Sequence, residues 1–332
     1  MSEIVIVEAV RSPVGRRGGE LSNIHPADLL SEVQTALIER SGVDPSTIGQ
    51  VVGGCVSQAG EQTANIARTA WLGAGMPLNV AATTVDAQCG SSQQAISLAY
   101  GLVASGVVDS AVGCGVESMT RNPMGSSYKK GQLTATPRYK EHYEYTTQFQ
   151  GAELLAKKWN ITRDECDEFG LRSQENAARA WDEDRFATQI VEVDVPVLDD
   201  DGTATGERQR VSRDGGLRPT TLEALSQLSP VMDDGVHTAG ASSQISDGSG
   251  AVVMMTAEKA EEQGLKPLGR IIDTCLVGSD PVLMLTGPIE ATHHLLERNN
   301  MTMGDIDVVE INEAFASVVL AWAREMNPDM DS

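Results

Sequence analysis

Between residues 3 and 119 the chain alternates short apolar runs with segments of helical periodicity, and this alternation constrains its fold more than any other feature. EIVIVEAV (3–10) is a continuous apolar run, suited to a strand buried on both faces. HPADLLSEVQTALIERSG (25–42) places Leu29, Leu30, Val33, Ala36 and Leu37 at helical spacing and stops at Gly42. A second strand is expected near 50–56, a helix over 63–75 and a strand over 79–87. A further helix follows with Ile96, Ala99 and Val103 on one face, and DSAVGCGVESM (109–119) closes the series as a strand. Such an order predicts an α/β protein with a parallel sheet covered by helices on both sides.

Part of this pattern recurs. LIERSGVDPSTIGQVV (37–52) and LLERNNMTMGDIDVV (295–309) each end a helix with L-[IL]-E-R and then lead to a pair of valines. EIVIVEAV precedes the first copy, and LGRIIDTCLVG (268–278) precedes the second. Two elements in the same order imply a duplicated unit. Cys89 lies 38 residues beyond Val51 in the first copy, whereas 24 residues follow Val308 in the second. By this logic the second half is short by a strand–helix–strand portion, on the order of 50 residues.

Residues 120–240 differ in texture and are expected to form an insertion carried by the first half. RNPMGSSYKKGQLTATPRYK (121–140) holds five basic residues and no acidic one. TRDECDEFGLRSQENAARAWDEDRF (162–186) reads as a polar amphipathic helix, and VLDDDGTATGERQRV (197–211) as a hairpin with a DG-type turn. The chain then returns to the sheet through SSQISDGSGAVVMMT (242–256). The expected division is 1–119 with 241–262, an inserted domain over 120–240, and a second half over 263–332.

A net charge of −22 argues against non-specific binding to nucleic acid or to a membrane surface. No stretch reaches transmembrane length, and MSEIVIVEAVRSP lacks the layout of a signal peptide. The five cysteines (55, 89, 114, 166 and 275) form neither a CxxC nor a zinc-spaced cluster, so no metal is expected. A cytoplasmic, reducing setting follows as the expectation.

Cys89, in TTVDAQCGSSQQA (83–95), is the residue most open to a chemical role. It follows a β-branched run, precedes a glycine and opens a helix, where unpaired N–H groups and the positive dipole end favour a thiolate. Context alone also fits a small buried hydrophobe. In INEAFASVVLAWA (311–323), Asn312 and Glu313 follow the apolar strand DIDVVEI, at the kind of position where α/β folds bind ligands. A cap on the next helix is the alternative, and both can hold. HTAGASSQISDG (237–248) is a Gly/Ser-rich loop running into a strand. Cys55, Cys114, Cys166 and Cys275 fall in strand or helix patterns and read as packing residues. His293 and His294 read as solvated.

Together VRSPVGRRGG, DAQCGSSQQA, GCGVESMT, DGGLRPTT, HTAGASSQISDGSGAVV and EINEAFA resemble the thiolases, in family order along the whole chain. The pattern is similar to the degradative branch, including members acting on steroid-derived acyl chains. The resemblance implies a duplicated, five-layered α-β-α-β-α fold with an inserted loop domain. It implies thiolysis of a 3-ketoacyl-CoA by CoA, or the reverse Claisen condensation. Cys89 matches the nucleophile and Asn312 the residue that orients a water in an oxyanion hole, while Ser243 and Arg218 match CoA-contacting positions. CoA is then a substrate, with no tightly bound cofactor, and a homodimer or homotetramer is expected. The basic island 121–140 would attract nucleotide phosphates, or form a solvated or subunit-contact loop.

The family also carries a G-H-P motif, whose histidine activates the nucleophile, and a C-x-G-G motif, whose cysteine serves as acid/base at the substrate α-carbon. No histidine follows His294 and no cysteine follows Cys275. The resemblance is therefore to a C-terminally truncated thiolase, with turnover expected to be impaired. A non-catalytic acyl-CoA- or lipid-binding protein, or a partner subunit of an intact homologue, is the alternative.

Overall fold

The structure is a computed structural model and describes residues 3–128, 135–199 and 201–330. In chain order its elements are β1 (Ile4–Arg11), β2 (Gly15–Arg16), α1 (Pro26–Ser41), β3 (Gln50–Gly54), α2 (Ile66–Gly73), β4 (Ala81–Val85), α3 (Ser91–Ala104) and β5 (Ser110–Ser118). There follow α4 (Pro137–Lys140), α5 (Gln148–Lys158), α6 (Arg163–Asp182), β6 (Val193–Leu198), β7 (Ala204–Val211) and α7 (Leu222–Ser226). The last are β8 (Ser246–Thr256), α8 (Ala257–Glu262), β9 (Gly269–Arg270), α9 (Gly287–Arg298) and α10 (Ala316–Met326). These group into a sheet unit (Met1–Lys130, Asp184–Gly216 and Ile245–Ile272) and a helical unit (Gly131–Glu183, Leu217–Gln244 and Asp273–Ser332).

In the sheet unit the strand order is β4-β3-β5-β8-β1-β9, with β2 pairing to β8. Residue alternation places one core on each face. Val51, Val112, Cys114, Val253 and Met255 pack with α1 and α2, while Val52, Ala111 and Met254 pack with α3. Helix α1 starts where His25 accepts a hydrogen bond from the Ala27 N–H and Pro26 fills the first turn. It stops at Gly42, whose φ of 69° is the left-handed conformation of a helix end.

The sheet is mixed rather than parallel. β3 runs parallel to β4 and β5, but β8 is antiparallel to both β5 and β1. β8 enters after a segment of the other unit, so no helical crossover fixes its direction. The expected hairpin is present as β6–β7, antiparallel from Val193↔Val211 to Leu198↔Ala204. Gly202, in its turn, has φ 79°, and Asp200 lies outside the described residues.

The helical unit buries Leu155, Ala156, Ile161 and Cys166 of α5, α6 and their connection against Ala316 and Ala321 of α10. Helices α5 and α6 both begin with capping boxes, at Thr147/Gln150 and Thr162/Glu165. The two copies of the sequence repeat share local structure: α1 and α9 each carry the Glu-Arg pair in the last turn, and each is followed by a 3-10 turn, at Pro45–Thr47 and Met303–Asp305.

The expected strands of the second copy do not form. Of 268–278 only Gly269–Arg270 pairs, with β1, and 305–311 joins no ladder among the described residues. A strand requires a hydrogen-bonding neighbour, and Val308 and Val309 are 84% and 44% exposed. Among the described residues no helix is long and apolar enough to cross a membrane.

Candidate active site

Cys89 belongs to the sheet unit, in the turn between β4 and α3. The turn is not made by Gly90, whose φ is −88°, but by Gln88, which adopts φ +52°. An L-residue is strained in that region, and local side chains hold it there. Asp86 Oδ1 accepts the Gln88 N–H at 2.7 Å, and the Ser91 hydroxyl accepts the Ala87 N–H at 3.0 Å while donating to the Gln88 carbonyl at 2.5 Å. Cys89 is thereby set one residue before the N-cap of a fourteen-residue helix, and it is exposed.

Glycines bring that helix onto the sheet. A Cβ on Gly54 would lie 2.3 Å from the Ser91 backbone carbon, and one on Gly115 would lie 1.8 Å from Ser92 Oγ. Gly113 is in the same position beneath Ile96, at 2.8 Å. These contacts fix the height of the first turn of α3, and with it the Cys89 turn.

The remaining cysteines are enclosed. Cys55, Cys114 and Cys166 are buried, and burial pushes each thiol up to about 12. The Glu117 carboxylate adds to the effect at Cys55, and Glu153 at Cys166. Cys275 is half-buried and points its Sγ at the Ala291 carbonyl, 3.7 Å away. Burial disfavours the thiolate of Cys55, Cys114 and Cys166 and closes them to a substrate, so exposure separates Cys89 from the others.

Asn312, Ser243 and Arg218 belong to the helical unit, where Ser243 bonds to the residues that follow Asn312 and Arg218 reaches the side chain of Gln244, the neighbour of Ser243. The Ser243 N–H donates to the Ala314 carbonyl at 3.0 Å and its hydroxyl to the Glu313 carbonyl at 2.9 Å. The Ala316 N–H returns a bond to the Ala241 carbonyl at 2.9 Å. The 241–243 loop and the 313–316 segment thus run as a short two-stranded clasp, immediately after Asn312. Asn312 is exposed and does not cap α10, because that helix begins at Ala316 with Phe315 at its N-cap. The capping alternative is therefore set aside.

Glu313 is held from the other side by the Ser173 hydroxyl, 2.6 Å from Oε2. Arg218 is exposed; its N–H donates to Gln174 Oε1 at 3.0 Å and its guanidinium reaches Gln244 Oε1 at 3.5 Å. Close backbone approach fixes the loop from behind, since a Cβ on Gly170 of α6 would lie 2.3 Å from the Gly240 carbonyl oxygen.

Sequence reasoning missed what lies beneath the clasp. His237 opens the loop and is 1% exposed, with Nδ1 2.9 Å from Glu153 Oε1 and Nε2 2.8 Å from Ser317 Oγ. The available signal was a histidine at the head of the TAGASS run with no metal spacing around it. In the basic island, Arg121 pairs with Glu61 within the sheet unit, while Lys129 and Lys130 lie outside the described residues. His293 and His294 are exposed on α9. Among the described residues no cluster of His, Cys, Asp or Glu could hold a metal ion.

The family is decided by comparison with known sequences. The thiolase N-terminal domain profile matches residues 4–258, and the thiolase C-terminal domain profile matches 265–332. This chain belongs to the thiolase family. It is 39% identical over 338 residues to the steroid 3-ketoacyl-CoA thiolase FadA6 of Mycobacterium tuberculosis, across 99% of this chain and 80% of that protein. It is 41% identical over 324 residues to a 3-ketoacyl-CoA thiolase of Idiomarina loihiensis, across 96% of this chain and 81% of that one. The crystal structure of the Bacillus anthracis acetyl-CoA acetyltransferase matches with a TM-score of 0.88 at 35% identity, covering this whole chain and 85% of the other. Human mitochondrial 3-ketoacyl-CoA thiolase matches with the same TM-score at 30% identity, over 99% and 85%. The α/β fold is that of the thiolases, and members of the family are acyltransferases.

Proposed function

We propose that this thiolase-family chain transfers acyl groups between CoA and Cys89, as in thiolysis of a 3-ketoacyl-CoA or the reverse condensation. The observation that carries the reading is that Cys89 alone of the five cysteines is exposed, in a strained turn ahead of a helix N-terminus. In thiolysis the Cys89 thiolate adds to the C3 carbonyl. The C2–C3 bond then breaks, leaving the acyl group on sulfur as a thioester and the electron pair on C2 of acetyl-CoA, where a proton must be supplied. The thiol of a second CoA then takes the acyl group and frees the cysteine. Cysteine suits both steps, because the enzyme thioester is close in energy to the CoA thioester that it replaces.

Asn312 would orient the water that stabilises the oxyanion, and Ser243 and Arg218 would meet CoA, with the 3-ketoacyl chain of the steroid-derived or fatty-acyl class. CoA is then a substrate, and no tightly bound cofactor is invoked. We also read 1–119 with 241–262, 120–240 and 263–332 as the evolutionary modules, the assembly as a homodimer or homotetramer, and the setting as the cytoplasm.

Turnover by a polypeptide of these 332 residues is expected to be weak. It contains no G-H-P or C-x-G-G motif; an oxyanion donor contributes about 10²–10³ in rate and an acid/base about 10²–10⁴. Loading of Cys89 from acetyl-CoA requires no proton at an α-carbon, so this half-reaction is spared the loss of the C-x-G-G cysteine and is slowed only by the loss of the G-H-P histidine. Incubation with acetyl-CoA and peptide mass spectrometry would find the acetyl group on Cys89 and none in Cys89→Ala. Acetylation undiminished by that substitution would refute the assignment.

A further inference from the structure

The buried imidazole of His237 has no spare end. Glu153 Oε1 accepts from Nδ1, and the same carboxylate receives the main-chain N–H groups of Val236 at 2.9 Å and His237 at 3.1 Å. A carboxylate only accepts, so Nδ1 carries the hydrogen and Nε2 faces the Ser317 hydroxyl. Ser317 Oγ also lies 3.3 Å from the Ala152 carbonyl. Phe315 stands edge-on to the ring with centroids 5.4 Å apart, and Phe149 stands edge-on to Phe315 at 5.6 Å. Three segments meet on one side chain: α5 through Ala152 and Glu153, the loop through His237, and the first turn of α10 through Ser317.

An apolar side chain would fill this volume without demanding partners. A buried polar network is satisfied in only one alignment of its carriers, and a group left unpaired there is costly. The alignment selected here is that of the 241–243 loop against 313–316, whose bonds Ser243 N–H to Ala314 and Ala316 N–H to Ala241 lie a few residues further along the same two segments.

We propose that His237 is a positioning residue which, through Ser317, holds the Ser243 loop in register with the segment that presents Asn312. This rests on the reading that these segments receive acyl-CoA, but its structural core is testable apart from it. Amide hydrogen exchange of the 332-residue chain would be compared among wild type, Ser317→Ala, His237→Asn and His237→Gln. Asparagine can place a donor where Nδ1 stands, keeping Glu153 and losing Ser317. Glutamine reaches the position of Nε2 and keeps Ser317.

Ser317→Ala and His237→Asn should speed exchange at the Ser243 and Ala316 amides about tenfold, the loss expected from one buried hydrogen bond. Amides inside α6 should keep their wild-type rates, and His237→Gln should remain near wild type at both sites. CoA dissociation constants measured by calorimetry should rise in the first two variants only. Unchanged exchange at Ser243 and Ala316, uniform acceleration through α5, α6 and α10, or a His237→Gln as impaired as His237→Asn would each overturn the inference. Failure of the wild-type chain to bind CoA would overturn the acyl-CoA reading, while the exchange pattern decides the positioning role independently.

Discussion

The Ser243 hydroxyl donates to the main-chain carbonyl of Glu313 at 2.9 Å, one residue beyond Asn312. The family resemblance assigns Ser243 to the substrate, yet in this structure its hydrogen is committed to the protein. A hydroxyl has one hydrogen and two lone pairs, so Ser243 can still accept a bond from an amide of the CoA chain while it donates to Glu313.

Ser243→Ala should therefore act twice. Loss of the hydroxyl removes one bond from the clasp and costs about 0.5–1.5 kcal/mol of stability. The main-chain bond from Ser243 to Ala314 remains, so the loop should stay in place. CoA affinity should fall further than stability alone explains, and calorimetric titration beside urea unfolding separates the two. Equal affinity in variant and wild type would leave Ser243 with a structural role only.

Gly115 and Gly101 make a paired test of how α3 carries Cys89. Ala at 115 puts a methyl 1.8 Å from Ser92 Oγ and 3.0 Å from the Gly54 carbonyl, so the helix or the strand must shift. Overpacking of this kind costs about 1–3 kcal/mol. Gly101 lies inside the helix with nothing within 4 Å of an added Cβ, and Ala there should stabilise by about 0.5–1 kcal/mol. Iodoacetamide labelling of Cys89 should change in Gly115→Ala and not in Gly101→Ala; similar labelling in both would show that strand contact does not set the turn.

Much of the sheet unit is legible residue by residue because each element carries its own pattern. Val51 and Val52 announce a strand buried on both faces, and Gly42 announces the end of α1. The direction of β8 is not legible, since SSQISDGSGAVVMMT reads the same whichever way it runs. Its pairing with β1 joins residues such as Val10 and Ala251, which no local signal connects. Cys89, Asn312 and Ser243 stand out by motif, but the strained residue in the cysteine turn is Gln88, and a glutamine gives no warning of a positive φ. The Glu153–His237–Ser317 network is hidden for the same reason. Its members lie on three separate segments, and only packing brings them together.

The cysteines give a test based on pH. The buried thiols of Cys114 and Cys166 ionise near 12 in the folded chain, against about 9.0 when free. A folded value above the unfolded one means that stability is fully present below about pH 9 and is lost as pH rises toward 12, because only the unfolded chain releases the proton. Alkaline unfolding should therefore set in above pH 9, and Cys114→Ala should show a shallower decline. Below that pH, labelling of the native protein should fall on Cys89 and leave Cys55, Cys114 and Cys166 untouched. Equal labelling of a buried cysteine under native conditions would contradict their enclosure.

On the acid side the repeat itself can be tested, because the arginine that ends each L-[IL]-E-R run is used differently. Arg40 donates to the carbonyls of Thr188 and Ile190, whereas Arg298 pairs with the Asp273 carboxylate and the Thr274 carbonyl. The Arg298 hydrogen bond holds the Asp273 carboxyl below its ordinary value, with Asn299 and the Thr274 N–H contributing. A depressed folded value means stability that is present above the ordinary carboxylate range and is lost as pH falls through the folded value. Arg298→Ala should flatten this part of the acid profile of unfolding. Arg40→Ala should lower stability by a similar amount at every pH, because its carbonyl partners do not titrate. Urea midpoints measured from pH 3 to pH 7 (roughly the span over which carboxyl groups titrate) decide the matter. Parallel profiles for the two variants would show that the Asp273 pair contributes nothing to stability, as exposed ion pairs often do.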